Sequence, residues 1–490
     1  MRNLSFRLAG AILFLLGISF FNFAQDTRDL IRFSETQVFG SARFEAMGGA
    51  FGALGADLSS SSINPAGFGR YSSSTFGLAF QNTIILNKAT FNNEETQKSL
   101  NSFKLNNLGF VLTSDVSENN KGFLFFQFGF SFNRLQNFKD SYSYSGQQFS
   151  SLLDEFCSFA DQVSPDYIYD VLPFSSALAW DTYAINENGS GGFVPDLNYS
   201  DVKQRRNIKN SGGVSEYNFN LSANYMNKLY IGGNIGLKTA KYFEDYYHYE
   251  QATNTEGVEL DSFEYEYHLK TKGNGANLKL GIIYLPIQNL RLGLSLHTPT
   301  FFNLSDDFSA DMTSYFKDTT RTVADELKPV GNYKYRLRTP TKLVGSLAYI
   351  FGTRGCINAD IEVVDYKFAH FKTTADSSYT PYSYKVENEN AKNELRTVVN
   401  LRLGGEIVFN SQYFIRAGFA LYPSGYSKIL NPVKGTQIFS GGIGFKWKNK
   451  SIDLALKVEH RNFNYIAFEN SITVINSFRN GIVFNYSVSF

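Results

Sequence analysis

The chain has 490 residues, of which 46 are basic and 45 acidic, so its formal net charge at pH 7 is +1. This balance argues against a nucleic-acid-binding protein, because neutralising phosphates requires a clustered excess of Lys and Arg. Aromatic residues make up 16% of the chain, yet its mean hydropathy is −0.23. Apolar and polar residues therefore alternate, which favours a large β protein over a bundle of membrane-spanning helices.

Residues 1–24 have the pattern of a secretory signal peptide. Arg2 and Arg7 lie in a basic start, and the apolar run 8–21 is shorter than the roughly 20 residues that a membrane-spanning helix needs. The small residue Ala24 lies where signal-peptide cleavage requires one. We therefore expect the mature chain to lie outside the cytoplasm and to cross a membrane, if it does so, with strands.

The C-terminal residues alternate with a period of two. Ile482, Phe484, Tyr486, Val488 and Phe490 are apolar, and small or polar residues lie between most of them. The same pattern recurs along the chain, with charged residues on the face opposite a continuous apolar face. In an outer-membrane barrel the apolar face contacts lipid and the polar face lines the lumen, so the pattern predicts membrane-spanning strands.

The alternating segments predict an all-β fold, a 14-stranded antiparallel transmembrane β-barrel over 73–490. The predicted strands lie near 73–87, 101–115, 121–135, 214–226, 229–245, 268–285, 289–299, 335–350, 355–366, 395–409, 412–421, 436–447, 451–461 and 476–490. Short turns alternate with long polar connections, which we expect to lie outside the cell. The long connections are 136–213, 246–267, 300–334, 367–394, 422–435 and 462–475.

Residues 25–72 precede the first predicted strand and are rich in Gly and other small residues. Within them Gly49, Gly52 and Asp57 come before the tripeptide Asn-Pro-Ala at 64–66, with Asp57 seven positions before the Asn. In this pattern, together with strand number and loop lengths, the chain resembles the FadL/OmpP1/TodX family of outer-membrane transporters for hydrophobic compounds, especially its members from Bacteroidota. The resemblance implies that 25–72 form a hatch that plugs a monomeric barrel.

The resemblance also implies a route for the ligand. In that family a hydrophobic ligand is captured by external loops, passes to a site near the hatch, and leaves sideways beside the third strand. The matching hatch positions are Asp57, Asn64, Pro65 and Ala66. Gly129 in the third predicted strand is a candidate for a local break in strand pairing; the alternative is a Gly that merely packs against an aromatic neighbour.

Charged residues in the hatch have candidate partners on the barrel wall. Buried charges are costly when unpaired, so ion pairs between hatch and wall are expected, while an Arg among them could instead anchor the carboxylate of a ligand. The hatch charges are Arg43, Glu45, Asp57 and Arg70, and the wall charges are Arg291, Asp360, Glu362, Arg396, Arg402 and Glu406.

The predicted external connection 136–213 contains a cluster of apolar residues. A cluster of this size in an exposed loop is typical of a surface that captures a ligand or partner, although the loop could instead fold a small core of its own. The candidate capture residues are Phe156, Phe159, Tyr167, Leu172, Phe174 and Trp180.

The remaining chemistry-bearing residues indicate no enzyme and no cofactor. Cys157 and Cys356 should lie at opposite ends of the barrel, too far apart for a disulfide, so we expect two free thiols. The five His residues are scattered, which disfavours haem or metal ligation, and no Ser, His and acid constellation is evident.

The function predicted from the sequence is passive uptake of hydrophobic small molecules, such as long-chain fatty acids, across the outer membrane of a Gram-negative bacterium. The partners expected are the hydrophobic ligand and membrane lipid. The alternative is a barrel that acts as a partner or adaptor subunit of an envelope protein complex, which the large external connections also suit.

Overall fold

The computed structural model describes residues 26–37, 39–117, 121–197, 201–253, 259–374, 382–427, 435–468 and 471–490. The predicted signal peptide, residues 1–24, lies outside the described residues. Fourteen strands form the wall of one antiparallel sheet. They are β1 Thr75–Phe91, β2 Glu94–Asp115, β3 Phe123–Asn137, β7 Val202–Tyr225, β8 Leu229–Ala252, β9 Leu260–Ile287, β10 Leu290–His297, β14 Lys342–Ile350, β15 Gly355–Asp365, β17 Thr397–Phe409, β18 Tyr413–Tyr422, β19 Thr436–Trp447, β20 Lys450–Ile466 and β21 Ile472–Ser489.

Shorter elements lie before the wall, in the connections between its strands, or above it. The other strands are β4 Asp140–Gln148, β5 Ile185–Glu187, β6 Phe193–Pro195, β11 Phe301–Phe316, β12 Thr320–Thr322, β13 Val330–Arg338 and β16 His370–Thr373. The α-helices are α1 Thr27–Ser34, α2 Ala42–Ala46, α3 Leu152–Ala160, α4 Ile168–Val171, α5 Ser176–Asp181 and α6 Lys385–Glu394. Short 3₁₀ helices cover Leu58–Ser62, Pro65–Arg70, Pro165–Tyr167, Asp325–Leu327 and Tyr366–Phe368.

The sheet closes on itself. Each wall strand pairs with the next in chain order, and β1 pairs with β21 from Thr75↔Ser489 to Thr90↔Val474. A closed sheet leaves no unpaired edge around the wall. The predicted 14-stranded antiparallel β-barrel is therefore confirmed.

The wall has an apolar outer face and a polar inner face, as the sequence alternation predicted. On β21, Ile482 and Phe484 are 51% and 44% exposed, whereas Val483 between them is fully buried. Inward charged side chains such as Arg402, Arg416 and Asp360 are almost completely buried. An outer belt of Leu, Ile, Phe and Val is the surface that a barrel presents to lipid. Among the described residues, no helix is long and apolar enough to cross a membrane.

The strands are longer than the sequence pattern predicted. β2 begins at Glu94 rather than near 101, because β1 and β2 are joined by a tight turn at Asn92 and Asn93, which both have positive φ. Asn tolerates this left-handed conformation better than most residues. Most of the described part of the predicted connections 246–267 and 300–334 is also strand. These outer strand ends have water on one side, so apolar and polar residues no longer alternate regularly. The sequence pattern there is therefore typical of a loop.

Above the wall, the outer strand ends and helices α3 to α5 enclose a second core. Phe156 and Leu178 from the helices pack in one cluster with Phe263, Tyr265 and Met312 from the strands. We call the helical part, residues 151–197, the cap. Cys157 lies in the cap and Cys356 at the start of β15; both are free and buried, which confirms the prediction of two unpaired thiols.

Candidate functional site

The described part of residues 26–72, which we call the hatch segment, fills the lumen. It touches all fourteen wall strands, from Leu58 against Gly77 on β1 to Ala42 and Ala46 against Val483 on β21. Small hatch residues meet glycines on the wall: a Cβ built on Gly418 would lie 2.2 Å from the amide nitrogen of Gly48. Only glycine permits so close an approach of two backbones.

The motif residue Asn64 holds a hatch turn and binds the wall. Its Oδ1 accepts from the amide of Ala66 at 3.1 Å, which caps the 3₁₀ helix that Pro65 begins. Its Nδ2 donates to the carbonyl of Gly52 at 2.7 Å and to that of Ile282 on β9 at 3.1 Å. One side chain thus joins two hatch turns to a wall strand.

Asp57 holds a second hatch turn, and Pro65 binds the wall. Asp57 caps the helix Leu58–Ser62 by accepting from the amide of Ser59 at 2.8 Å, and it accepts from the hydroxyl of Ser41 at 2.6 Å. The carbonyl of Pro65 accepts from Asn220 at 3.1 Å and from Ser222 at 2.9 Å, both on β7. The structure gives Asp57 no wall partner among the described residues.

Arg43 is the hatch charge most strongly bound to the wall. Its guanidinium donates from Nε and Nη2 to the two carboxylate oxygens of Glu406, each at 3.0 Å. Glu406 also accepts from Arg416 at 2.6 Å, and Arg416 reaches Asp453 at 2.6 Å. Burial acts to lower the pKa of Arg43, but Glu406, Asp57 and Cys356 together outweigh it and raise that pKa. This two-armed pair fixes both position and orientation.

Glu45, near the C-terminal end of α2, is fully buried and joins this helix to the wall. Lys457 on β20 lies 2.9 Å from Glu45, and Asn106 on β2 donates to it at 2.6 Å. The amide of Gly40 donates to the same carboxylate at 3.1 Å. Burial raises the pKa of Glu45, against the effect of Lys457.

A third wall charge, Asp360, binds backbone amides of the hatch segment. Asp360 on β15 accepts from the amides of Phe51 and Gly52, each at 3.1 Å. Arg402 on β17 lies 3.6 Å from Asp360 and donates to Glu362 at 3.1 Å. The carboxylate therefore links the hatch segment to a buried ion-pair group in the wall.

The other predicted charges do not form hatch-to-wall ion pairs. Arg70 hydrogen-bonds the hydroxyl of Tyr230 and lies over its ring, with 4.8 Å from the guanidinium carbon to the ring centre. Arg291 donates to the carbonyl of Leu54 at 3.1 Å. Arg396 donates to the carbonyl of Ser424 at 2.9 Å. The sequence analysis did not single out Lys457 and Arg416 as sites. Their only sequence signal is that each is a charged residue at an inward position of an alternating strand.

A polar cavity of about 40 Å³ lies between the hatch segment and the wall. Its lining includes Leu135, Lys238, Lys279, Lys342 and Arg402. Lys279 is paired with Glu216 at 2.5 Å, while Lys342 donates to the carbonyl of Ser34 at 3.0 Å. A cavity of this size holds water but not a drug-sized ligand, which needs several hundred Å³. This cavity therefore has no room for such a ligand in the structure as it stands.

The candidate capture residues are largely packed inside the cap. Phe156 and Leu172 are buried, and Phe159, Phe174 and Trp180 are partly buried against the same core. Only Tyr167 of the six is exposed. The cluster therefore forms a small core of its own over the barrel, which is the alternative that the sequence analysis left open, and ligand capture by these residues stays a prediction.

The wall has no break in pairing at Gly129, which corrects that candidate. Gly129 pairs with Val111 on β2 and with Asn220 on β7. A Cβ built on it would lie 2.3 Å from the Phe68 ring, so the ring occupies the space that a side chain would need. The Gly is there for packing.

A break in pairing does occur farther up the same two strands. The ladder of β2 with β3 ends at Asn107↔Asn133, and from there to Glu94 the described residues of β2 pair only with β1. Side chains bridge this seam instead. Lys98 donates to Asn207 at 3.0 Å, and Asn137 donates to Ser102 at 3.4 Å.

The inner side of the seam borders the polar cavity. Leu135 on β3 lines that cavity and packs against α1 of the hatch segment. The carbonyl of Leu135 accepts from the amide of Gln37 at 3.0 Å. Hatch, cavity and seam are thus neighbours.

Comparisons with known proteins show the fold. No protein-family model matches the chain, and neither does any curated protein. A Pseudomonas aeruginosa FadL homologue superposes with a TM-score of 0.55 at 12% identity, covering 93% of this chain and 99% of that one. The Pseudomonas putida toluene transporter TodX gives 0.52 at 15% identity, with the same coverage. The chain therefore shares the barrel fold of these transporters, as the resemblance predicted.

Proposed function

We propose that the chain is an outer-membrane channel of the FadL/OmpP1/TodX family for the passive uptake of hydrophobic small molecules, long-chain fatty acids or similar compounds. The observation that carries the proposal is a lumen filled by the hatch segment directly beside a seam in the wall. A polar solute crossing such a barrel would need the whole plug to leave. A hydrophobic molecule needs only a widening of the polar cavity beside Leu135 and a path from there into the surrounding lipid.

The seam supplies the exit. Opening it costs a few side-chain hydrogen bonds, each worth about 0.5–1.5 kcal/mol net, rather than a backbone ladder between two strands. At the lower end of the seam Phe103 is 69% exposed on the outer face, so an apolar side chain faces outward at that level. Hydrophobic ligands leaving here enter lipid and avoid water.

A pair of cysteines tests this route. In a chain with Cys157 and Cys356 replaced by Ala, Ser102→Cys with Asn137→Cys places two thiols across the seam, where the native side chains touch. Oxidation should block uptake of labelled oleate into cells, and a reductant should restore it. The matched control is Asn107→Cys with Asn133→Cys, which joins the same strands where they are already laddered.

The control lock should leave uptake unchanged. Equal uptake with the seam locked and unlocked would rule out this exit. Oleate binding to the purified barrel separates the two parts of the proposal, since absence of binding rejects the substrate class and absence of a locking effect rejects only the route.

The second candidate function is a subunit of an envelope protein complex, and the surface of the cap favours it. From 151 to 197 the chain has eight Asp and Glu residues and no Lys or Arg. The cap also exposes Tyr167, Tyr169 and Tyr183, which are 60%, 52% and 53% exposed. An acidic surface with exposed Tyr suits a basic protein partner. Co-purification of one stoichiometric partner that is lost when the three Tyr are changed to Ser would support this function over uptake.

A further inference from the structure

The outer face of the wall has a hollow of about 1030 Å³ that the lumenal pathway does not use. It crosses seven neighbouring wall strands, β2, β3, β7, β8, β9, β10 and β14, and its lining is almost entirely apolar, including Phe128, Leu221, Ile231 and Leu280. Ligand pockets for drug-sized molecules have volumes of about 300–1,000 Å³. The hollow is therefore large enough for an extended apolar molecule.

Two small residues at outward positions help to make the hollow. Gly233 on β8 lies between Leu221 and Leu280 in the pairing register, and these neighbours are 67% and 63% exposed. Ala223 on β7 lies in the next row, paired with Ile231. Large side chains therefore surround a patch of wall at Ala223 and Gly233 that has almost no side chains, and this leaves a notch in the outer surface.

The hollow is not an opening. The ladders of β3 with β7, β7 with β8, and β8 with β9 run through it without interruption. Behind it, Pro65 of the hatch segment presses on the inner side of the wall, where a Cβ built on Gly232 would lie 2.5 Å from the carbonyl carbon of Pro65. The hatch therefore supports the floor of the hollow and keeps it from collapsing inward.

Two lysines lie at the short-turn end of the hollow, where Asp115 is also exposed. The turn at Met226 is hydrogen-bonded to the turn before β3, with the amide of Met226 donating to the carbonyl of Gly122 at 3.0 Å. Lys121 and Lys228 flank these two residues and are both exposed. Ile231 in the hollow is only three residues, roughly 10 Å of strand, from Lys228.

We propose that this hollow is a binding site for a phospholipid of the surrounding membrane. The acyl chain lies in the notch at Ala223 and Gly233, and the phosphate lies between Lys121 and Lys228. The apolar lining suits the chain, and the lysines suit an anionic head group at the membrane surface. The site is separate from the lumen and does not depend on what the barrel transports.

The variant that tests the site is Gly233→Phe. A Cβ at Gly233 would meet only Leu280, at 3.6 Å, so the added ring fills the hollow without disturbing the hatch. The matched control is Gly441→Phe on β19, also outward, where a Cβ would meet only the carbonyl oxygen of Arg416, again at 3.6 Å. The full-length barrel is reconstituted in mixed phosphatidylethanolamine and phosphatidylglycerol vesicles, extracted in mild detergent and weighed by native mass spectrometry.

The native barrel and the Gly441→Phe barrel should each retain one phospholipid, and Gly233→Phe should retain at least tenfold less. Lys121→Gln with Lys228→Gln should lower retention of phosphatidylglycerol more than that of phosphatidylethanolamine. Equal retention by all barrels overturns the proposal. So does retention of added lipid A instead of phospholipid, or a dimer that occupies the same face. Oleate uptake by Gly233→Phe should equal that of the native barrel, so failure of this site and failure of the proposed uptake are distinguishable.

Discussion

Adding a single methyl group to the wall at Gly418 should unseat the hatch. The Cβ of Gly418→Ala would lie 2.2 Å from the amide nitrogen of Gly48 and 2.4 Å from the carbonyl carbon of Met47. These atoms are backbone, so no side-chain rotation relieves the contact. Ordinary contact begins at 3.4 Å, which requires a separation of about 1.2 Å more than the structure allows.

The cost follows from what that movement disturbs. Overpacking of a well-packed core costs about 1–3 kcal/mol. Gly48 follows α2 directly, so the same shift strains the bonds of Arg43 to Glu406, which are both 3.0 Å long. We expect the unfolding temperature to fall by a few degrees and small solutes to leak through the barrel.

Two assays check this expectation. Loss of folded mobility on heating reports the stability of the barrel, and swelling of vesicles in small sugars reports the leak. The matched control is Gly441→Ala, whose outward Cβ would meet only the carbonyl oxygen of Arg416 at 3.6 Å. If Gly418→Ala and Gly441→Ala are alike in both assays, the hatch is not seated on this wall as described.

Three further predictions concern individual side chains. Glu45→Gln removes a buried partner of Lys457 and should cost about 3–5 kcal/mol of unfolding free energy, whereas adding Lys457→Met should recover more than half, as a denaturant titration of the two variants would show. Burial raises the pKa of the Cys157 thiol to about 12, so maleimide should modify this thiol slowly at pH 7.5. The expected rate is at least a hundredfold below that of an exposed Ser158→Cys thiol in a Cys157→Ser chain. Equal rates would contradict a buried Cys157. Burial raises the pKa of Asp29 to about 7, so the docked state of α1 holds this proton more tightly than the undocked state, and docking should weaken as pH rises from about 4 to about 7. Hydrogen exchange of α1, corrected for intrinsic rates, should show falling protection over that range, and constant protection would contradict the assignment.

The barrel itself could be predicted from the sequence, because the period of two is a local property of each strand. The segment near 476–490 alternates by single residues, and the pairing of β21 with β1 and β20 follows that alternation. The hairpin at Asn92 and Asn93 was missed because the outer end of β2, residues 94–101, is almost entirely polar on both faces. Where water replaces lipid, the apolar signal that defines a strand is lost.

The partners across the lumen could not be predicted individually. Arg43 and Glu406 are 363 residues apart in the chain, and six wall charges were available to each hatch charge. Which pair forms depends on the stagger of the strands, and no local pattern records that stagger. The inward glycines of the wall indicated the hatch contacts only weakly. From the sequence, an inward Gly shows only that no side chain is present, and not which segment occupies the space.

The hatch segment contacts the wall from its first strand to its last. Residues 26–72 precede every wall strand in the chain, and in the finished barrel they touch all fourteen. Leu58 lies against β1, whereas Ala42 and Ala46 lie against β21, which is the last strand to be made. The contacts with β21 can therefore form only after the whole chain has been synthesised, so a segment made at the beginning acquires its full packing only at the end.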